Sequence, residues 1–237
     1  MHPTIVSSKV PQVRATVINL RTTISPSNKV FVHSVVIAGG KARSLEELDR
    51  WRLFDLNNGS VTYVDDLTKS YRTENLAPLL DAHAASAAPA EGSKLAATGA
   101  RRVVNGVDSS QYVLTRGVYR RELWVATVPN VPPQLFAMMQ ASRRPAEAEE
   151  QKRWVEGPLA GLRGYPMDDH AQLPYGATSL SIDRTVTSVE QKDVPAALLL
   201  LPAGYRDATV KPAAAQAPGP SPTQRPAPGP GAGKPQS

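Results

Sequence analysis

Carboxylates and histidines are the side chains of this chain best suited to acid–base or metal chemistry, and few of them cluster. Two adjacent pairs stand out, Asp65–Asp66 and Asp168–Asp169, and the histidines stand apart at positions 2, 33, 83 and 170. Adjacent residues of a β-strand point to opposite faces, so neither pair is suited to act together on one proton. The run Asp168-Asp169-His170 is equally unsuited to converge on one metal ion. We predict no catalytic residue and no metal ligand.

Nucleophilic and cofactor chemistry have little support in the sequence. The chain has no cysteine, which removes disulfides, thiol nucleophiles and thiolate-ligated metals. No serine lies in a Gly-x-Ser-x-Gly elbow, and Gly157, Gly161 and Gly164 lack the strand-to-helix context of a phosphate-binding loop. We therefore predict a protein that is not an enzyme and holds no cofactor. A hydrolase whose site has no recognisable motif is the weaker alternative.

The basic charge of the chain is less informative than its size suggests. The formal net charge is +6, but half of it comes from Lys211, Arg225 and Lys234 in an acid-free C-terminal segment. The other basic residues include four isolated dyads without interleaved aromatic residues: Arg101–Arg102, Arg120–Arg121, Arg143–Arg144 and Lys152–Arg153. A groove that binds single-stranded nucleic acid needs a continuous basic stripe with interleaved aromatic residues on which bases stack. We therefore predict that the dyads are solvated and that the chain does not bind nucleic acid.

Composition divides the chain into a domain and flexible segments. Residues 211–237 contain eight prolines and four glycines in 27 positions, a composition that cannot bury enough apolar surface to order the backbone. We predict a flexible N-terminus at 1–11, one domain at 12–210 with a flexible alanine-rich loop at about 82–100, and a disordered tail at 211–237. The longest aliphatic run, at 196–201, is far shorter than the roughly 20 residues of a transmembrane helix, so no such segment is predicted.

The sequence of the domain predicts mostly β-strands. Apolar residues alternate with polar ones along 15–24, and 52–56 and 60–64 flank Asn57-Asn58-Gly59, a strong hairpin signal. Further strands are expected within 29–38, 101–104, 111–115, 119–127, 164–173 and 178–191. The run Ser44-Leu45-Glu46-Glu47 matches a capping box and predicts the start of a short helix. These patterns predict an α+β fold, a curved antiparallel sheet that wraps one or two helices.

The better-supported helix is expected at 133–144, because two prolines suit its first turn. Leu135, Met138 and Met139 share one face of that helix, and we expect this face to line an open, apolar cleft on the concave side of the sheet.

Several short segments together resemble uncharacterised bacterial envelope proteins with a half-barrel like that of the LolA and LolB lipoprotein carriers. The segments that carry the resemblance lie between 12 and 210: 51–56 (Trp-Arg-Leu-Phe-Asp-Leu), 59–65, 69–71, 121–126 (Arg-Glu-Leu-Trp-Val-Ala), 132–136, 164–167 and 201–205 (Leu-Pro-Ala-Gly-Tyr). The resemblance implies a half-barrel with an apolar cavity, a periplasmic or envelope location, and a lipid or lipoprotein as partner. Residues 1–10 lack the charged and apolar regions of a signal peptide, so either the chain is a mature or mis-started form or the envelope location is wrong.

The leading hypothesis is a non-catalytic envelope protein that binds an apolar or amphipathic ligand, such as a lipid or the acyl chain of a lipoprotein, in the concave cleft. The alternative is a structural or protein–protein interaction module of the envelope that binds no small molecule. The sequence does not predict the oligomeric state.

Overall fold

The computed structural model describes residues 10–47, 49–78, 80–81, 92–143, 154–176 and 178–208. The predicted tail and residues 82–91 of the predicted alanine-rich loop lie outside these ranges. The described residues form twelve strands: β1 Gln12–Ser25, β2 Lys29–Ala38, β3 Lys41–Glu47, β4 Arg50–Asp55, β5 Ser60–Asp65, β6 Ser70–Asn75, β7 Lys94–Val104, β8 Val107–Arg116, β9 Tyr119–Ala126, β10 Tyr165–Tyr175, β11 Thr178–Pro195 and β12 Arg206–Asp207. An α-helix, α1 (Leu135–Ala141), and two 3-10 helices, Gly157–Gly161 and Ala196–Leu199, accompany them.

All twelve strands belong to one open, curved sheet in the order β12-β6-β5-β4-β3-β2-β1-β11-β10-β9-β8-β7. Neighbouring strands are antiparallel, except that the short β12 runs parallel to β6. The long strands β1 and β11 pair at the centre and join two meanders, β1–β6 and β7–β11. The predicted curved antiparallel sheet around a helix is confirmed, although the fold is more nearly all-β than the predicted α+β class.

The predicted hairpin at Asn57-Asn58-Gly59 joins β4 to β5. The Asp55 carboxylate accepts hydrogen bonds from the backbone N–H groups of Asn57 and Asn58, at 3.1 and 3.0 Å. Gly59 has a φ of +63°, a conformation that residues with a Cβ rarely adopt. The turn is therefore specified locally, by an aspartate that satisfies its donors and by a glycine that supplies its backbone bend.

The concave face of the sheet packs against α1 and the Gly157–Gly161 helix. Alternate residues of the central strands, such as Ile18 and Leu20 on β1, are buried there together with the whole of α1. Phe136 of α1 meets Tyr165 of β10 edge to face, with ring centroids 6.5 Å apart. Because one face of every central strand points at this helix, the period-two pattern of the sequence becomes a single apolar core.

The convex face carries a smaller apolar cluster under the C-terminal part of the described chain. Trp51, Leu53 and Val64 pack there with Leu199. The indole N–H of Trp51 donates to the Asp66 carboxylate at 2.9 Å, and a 3.0 Å hydrogen bond from the Tyr205 hydroxyl reaches the same oxygen. This contact fixes the end of the domain onto the sheet.

Two local predictions are wrong. The capping-box run at Ser44 lies within strand β3, where Ser44 pairs with Arg52 and Leu45 pairs with Trp51. Pairing with β2 and β4 on both sides outweighs the helical start signal, which is worth only about 1 kcal/mol. Residues 94–100, predicted as part of a flexible loop, form the first half of β7.

Candidate functional site

The predicted site residues of α1 face the concave side of the sheet and are packed there. Leu135 and Met138 are fully buried, and Met139 is 8% exposed. The structure therefore places them in the core, where a ligand would reach them only if α1 moved away from the sheet. Their contact with a ligand stays a prediction.

Hydrogen bonds from the sheet hold the C-terminal end of α1 in this position. Arg52, a buried residue of β4, donates to the Met139 carbonyl at 3.2 Å and also to the Ser142 hydroxyl. The Tyr63 hydroxyl donates to the Ser142 carbonyl at 2.7 Å, and its burial, with the nearby Glu74 carboxylate, raises the pKa of Tyr63 to about 12. Carbonyls at a helix end lack partners within the helix, so these donors anchor α1 on the sheet.

Beyond α1, the concave face continues toward the β1–β2 turn with apolar side chains that are only partly buried. We call this set the concave strip; its members are Ile24, Phe31, Leu173, Leu180 and Ile182. Phe31 is the most open of the large ones, with 49% of its surface exposed. All but Leu173 belong to none of the apolar clusters of the described residues. The strip is thus an apolar surface that the described part of the chain covers only in part.

A layer of charged side chains separates the concave strip from the core. Asp169 is buried and accepts two hydrogen bonds from Arg121, at 2.8 and 2.7 Å, and one from Arg184 at 2.8 Å. Glu156 accepts from Arg121 and from the Tyr119 hydroxyl, each at 2.5 Å. Burial acts to raise the pKa of Asp169, but the two arginines outweigh it and hold the pKa below its ordinary value.

The charged layer also acts on His33. The His33 imidazole lies on the concave face, as do Phe31 and Val35, which are two residues before and two residues after it on β2. Burial lowers the pKa of His33, and the positive charges of Arg184 and Arg143 lower it further. His33 is therefore held toward its neutral form by a positively charged environment.

Thr22 supplies a polar atom without a partner between the strip and the charged layer. Its register partners are Arg184 on β11 and Phe31 on β2. Thr22 is buried, and its hydroxyl makes no hydrogen bond with any described residue. An unsatisfied buried hydroxyl lowers the stability of the fold by about 1–3 kcal/mol. A polar ligand group placed here could form a hydrogen bond with the Thr22 hydroxyl and remove that cost.

Three clefts surround the loop between β9 and α1, at the opposite end of the concave face. Their volumes are about 410, 500 and 590 Å³, and loop residues Thr127, Pro129, Asn130 and Pro132 contribute to their walls. Polar side chains such as Arg14, Arg163 and Gln191 form much of the rest. Arg14 and Arg163, in the walls of the 410 and 590 Å³ clefts, suit an acyl chain less well than the concave strip does.

Sequence reasoning missed the charged layer. It treated Arg121 as half of a solvated dyad, and this is wrong because Arg121 is 3% exposed. The signal was present in β9, where Arg121 alternates with the buried Tyr119, Leu123 and Val125. The expectation that Asp168 and Asp169 point to opposite faces is confirmed, since only Asp169 is buried.

The other functional predictions concern absences. Among the described residues, no three His, Asp or Glu side chains are grouped so that they could hold a metal ion. Within the same part of the chain, no helix has the length and hydrophobicity to span a membrane.

Comparison with known proteins finds similarity in structure alone. No protein-family model matches the sequence, and neither does any curated protein. Similar solved structures include PNGF-II (TM-score 0.49, 10% identity, 82% of this chain and 30% of that one), so this chain spans less than a third of PNGF-II. They also include lipoprotein LppX of Mycobacterium tuberculosis (TM-score 0.30, 11% identity, 74% of this chain and 86% of that one). A DUF1329 family protein from Desulfovibrio piger is a further example (TM-score 0.19, 11% identity, 75% of this chain and 85% of that one). With identities of 10–11% and TM-scores under 0.5, the function has to be argued from the geometry of this chain.

Proposed function

We propose that this protein binds an amphipathic ligand with an acyl chain, a lipid or the acyl part of a lipoprotein, on the concave face of its sheet. The observation that carries the proposal is the concave strip, an apolar surface that lies inside the curve of the sheet and beyond the end of α1. The envelope location rests on the sequence resemblance to the lipoprotein-carrier half-barrels. The proposal involves no catalytic step.

The strip suits an acyl chain because its residues form one continuous patch across four adjacent strands. Ile24 of β1 pairs with Ile182 of β11, and Leu180 of β11 pairs with Leu173 of β10. Phe31 follows on β2, one register step from Ile24. Burying such side chains under a ligand contributes roughly 25 cal/mol per Å² of apolar surface removed from water.

The neighbouring polar groups suit an anionic head. Arg184 lies next to Ile182 on the same face, shares Asp169 with Arg121, and keeps 20% of its side chain exposed. The Thr22 hydroxyl lies across from Arg184 and has no partner among the described residues. A carboxylate or phosphate at this point would accept hydrogen bonds from both, while the acyl chain lies along the strip toward the β1–β2 turn.

The proposal is tested by titrating the protein with the uncharged apolar probe N-phenylnaphthylamine in the absence of membranes. Phe31→Asp places a charge on the strip and should weaken probe binding by about tenfold or more, because a charge is costly to bury beneath an apolar ligand. Val32→Asp is the matched control, since Val32 is the next residue of β2 and points to the convex face. Equal binding by the two variants, or no binding by the wild type, would contradict the proposal.

The head-group part of the proposal is tested with a fatty acid and Thr22→Val. Valine has nearly the same shape as threonine and removes the unpartnered hydroxyl, so the variant should be at least as stable as the wild type. Its affinity for the fatty acid should fall severalfold, while its affinity for the uncharged probe should not change. A fatty-acid affinity that is unaltered would place the head group elsewhere.

The packing of α1 favours a second candidate function, the structural or interaction module. Because Leu135, Met138 and Met139 already fill the centre of the concave face, the domain needs no ligand to complete its core. In that case the wild type binds neither the probe nor the fatty acid, and the same titrations distinguish the two functions.

A further inference from the structure

The hairpin between β1 and β2 ends in apolar side chains that face outward as well as inward. Three consecutive residues near its tip are exposed: Val30 at 47%, Phe31 at 49% and Val32 at 76%. Phe31 belongs to the concave strip, whereas Val30 and Val32 point to the convex face. Single exposed apolar residues are ordinary, but three in succession at a projecting turn mark a surface that meets an apolar partner.

The charge around this tip is positive. From residue 1 to residue 45 the chain contains no aspartate or glutamate. Lys29 lies at the tip, and Arg21 pairs with Val32 in the register of the two strands; neither forms an ion pair with a described residue. The nearest carboxylate on the adjoining strand, Asp183, is hydrogen-bonded to His170 and Ser181.

We propose that the tip of the β1–β2 hairpin docks this protein on an anionic lipid bilayer, with Val30 and Val32 inserted into the interface and Arg21 and Lys29 against the head groups. Apolar side chains flanked by unpaired cations bind such a surface through both buried area and electrostatic attraction. The inference rests on the proposed function, because docking here would bring the open end of the concave strip to the membrane. A lipid could then pass between the bilayer and the strip without crossing water.

The test is flotation of the full chain with vesicles of phosphatidylcholine, with and without about one-third phosphatidylglycerol. The wild type should float with the anionic vesicles alone, and about 0.5 M salt should release it because the Debye length falls to a few ångströms. Val32→Asp should abolish flotation, and Lys29→Gln should weaken binding about fivefold, as expected for one basic residue near an anionic surface.

Val103→Asp is the matched control. Val103 is also an exposed valine near a hairpin turn, but the β7–β8 turn lies at the opposite end of the sheet from the β1–β2 turn. This variant should float like the wild type. Equal loss of flotation in the Val32 and Val103 variants, or a wild type that does not bind anionic vesicles, would overturn the docking proposal.

The outcome is separable from that of the proposed function. Val32→Asp should keep its affinity for N-phenylnaphthylamine in solution, because Val32 lies outside the concave strip. A wild type that binds the probe but never the vesicles would refute docking and leave ligand binding intact. A wild type that binds vesicles but not the probe would leave the docking surface in place and refute the ligand site.

Discussion

Removing the charge of Asp169 should destabilise the protein far more than removing that of its neighbour Asp168. Asp169 is 3% exposed and holds together Arg121 and Arg184, with three hydrogen bonds of 2.7–2.8 Å. Asp169→Asn preserves the shape of the side chain but leaves Arg121, which is equally buried, facing a neutral amide. The perturbation therefore isolates the charge of the buried pair.

The expected magnitude follows from burial. Breaking a buried ion pair by neutralising one partner costs about 3–5 kcal/mol, a large part of the ~5–15 kcal/mol that stabilises a typical domain. At roughly 2–4 °C per kcal/mol for a domain of this size, Tm should fall by about 10 °C. Because Arg121 keeps its contact with Glu156 in the variant, we expect the loss of stability to be about 3 kcal/mol, at the lower end of the range of about 3–5 kcal/mol.

Asp168→Asn supplies the matched control for the measurement, which is thermal and urea unfolding followed by circular dichroism. Asp168 pairs with Arg102 on the convex face, where both side chains are about one-third or more exposed. An exposed pair contributes about 0–1 kcal/mol, so this variant should unfold close to the wild type. Equal losses in the two variants, or no loss in Asp169→Asn, would refute the inference that the charged layer is a buried structural element.

Three further predictions concern other parts of the chain. Met138→Glu should unfold the domain or destabilise it by several kcal/mol, because Met138 is fully buried; a folded variant with wild-type Tm would show that α1 opens readily. Burial and nearby arginines hold the pKa of His33 below its ordinary 6.5, so the unfolded chain binds the proton more readily and stability should decrease as pH falls through 6.5 toward the lower folded pKa. In His33→Gln, urea unfolding should lose that part of the pH dependence, and an unchanged profile would assign it to another group. Deleting 211–237 should leave Tm unchanged, as its composition predicts, and a drop of several degrees would mean that the tail packs on the domain.

The sequence predicts the elements whose signals are local. The alternation in β1 and the Asn57-Asn58-Gly59 turn led to the correct strands, and the two prolines before α1 led to the correct helix within a few residues. The capping box at Ser44 misled because pairing with two flanking strands decides the structure of that segment. Local signals cannot specify that β1 pairs with β11, because the two strands lie near opposite ends of the described chain. The curvature of the sheet depends on that pairing.

The candidate site was less predictable for the same reason. The shared face of Leu135, Met138 and Met139 could be read from helical spacing, but how tightly that face packs depends on the strands it meets. The concave strip combines residues from two hairpins, β1–β2 and β10–β11, that lie far apart in the sequence, so no short motif marks it. Arg121 could have been recognised from its place among buried residues of β9, although its partner Asp169 could not.

The most direct test of ligand binding is native mass spectrometry of the full chain purified from its own host. The wild type should carry a bound species whose mass corresponds to an acyl lipid and which dissociates on collisional activation. Phe31→Asp, purified in parallel, should lack that species, whereas Val103→Asp, which alters neither the concave strip nor the docking tip, should retain it. A wild type with the bare mass of the chain, or a bound lipid that Phe31→Asp retains in full, would contradict the account of the concave strip as a lipid-binding surface.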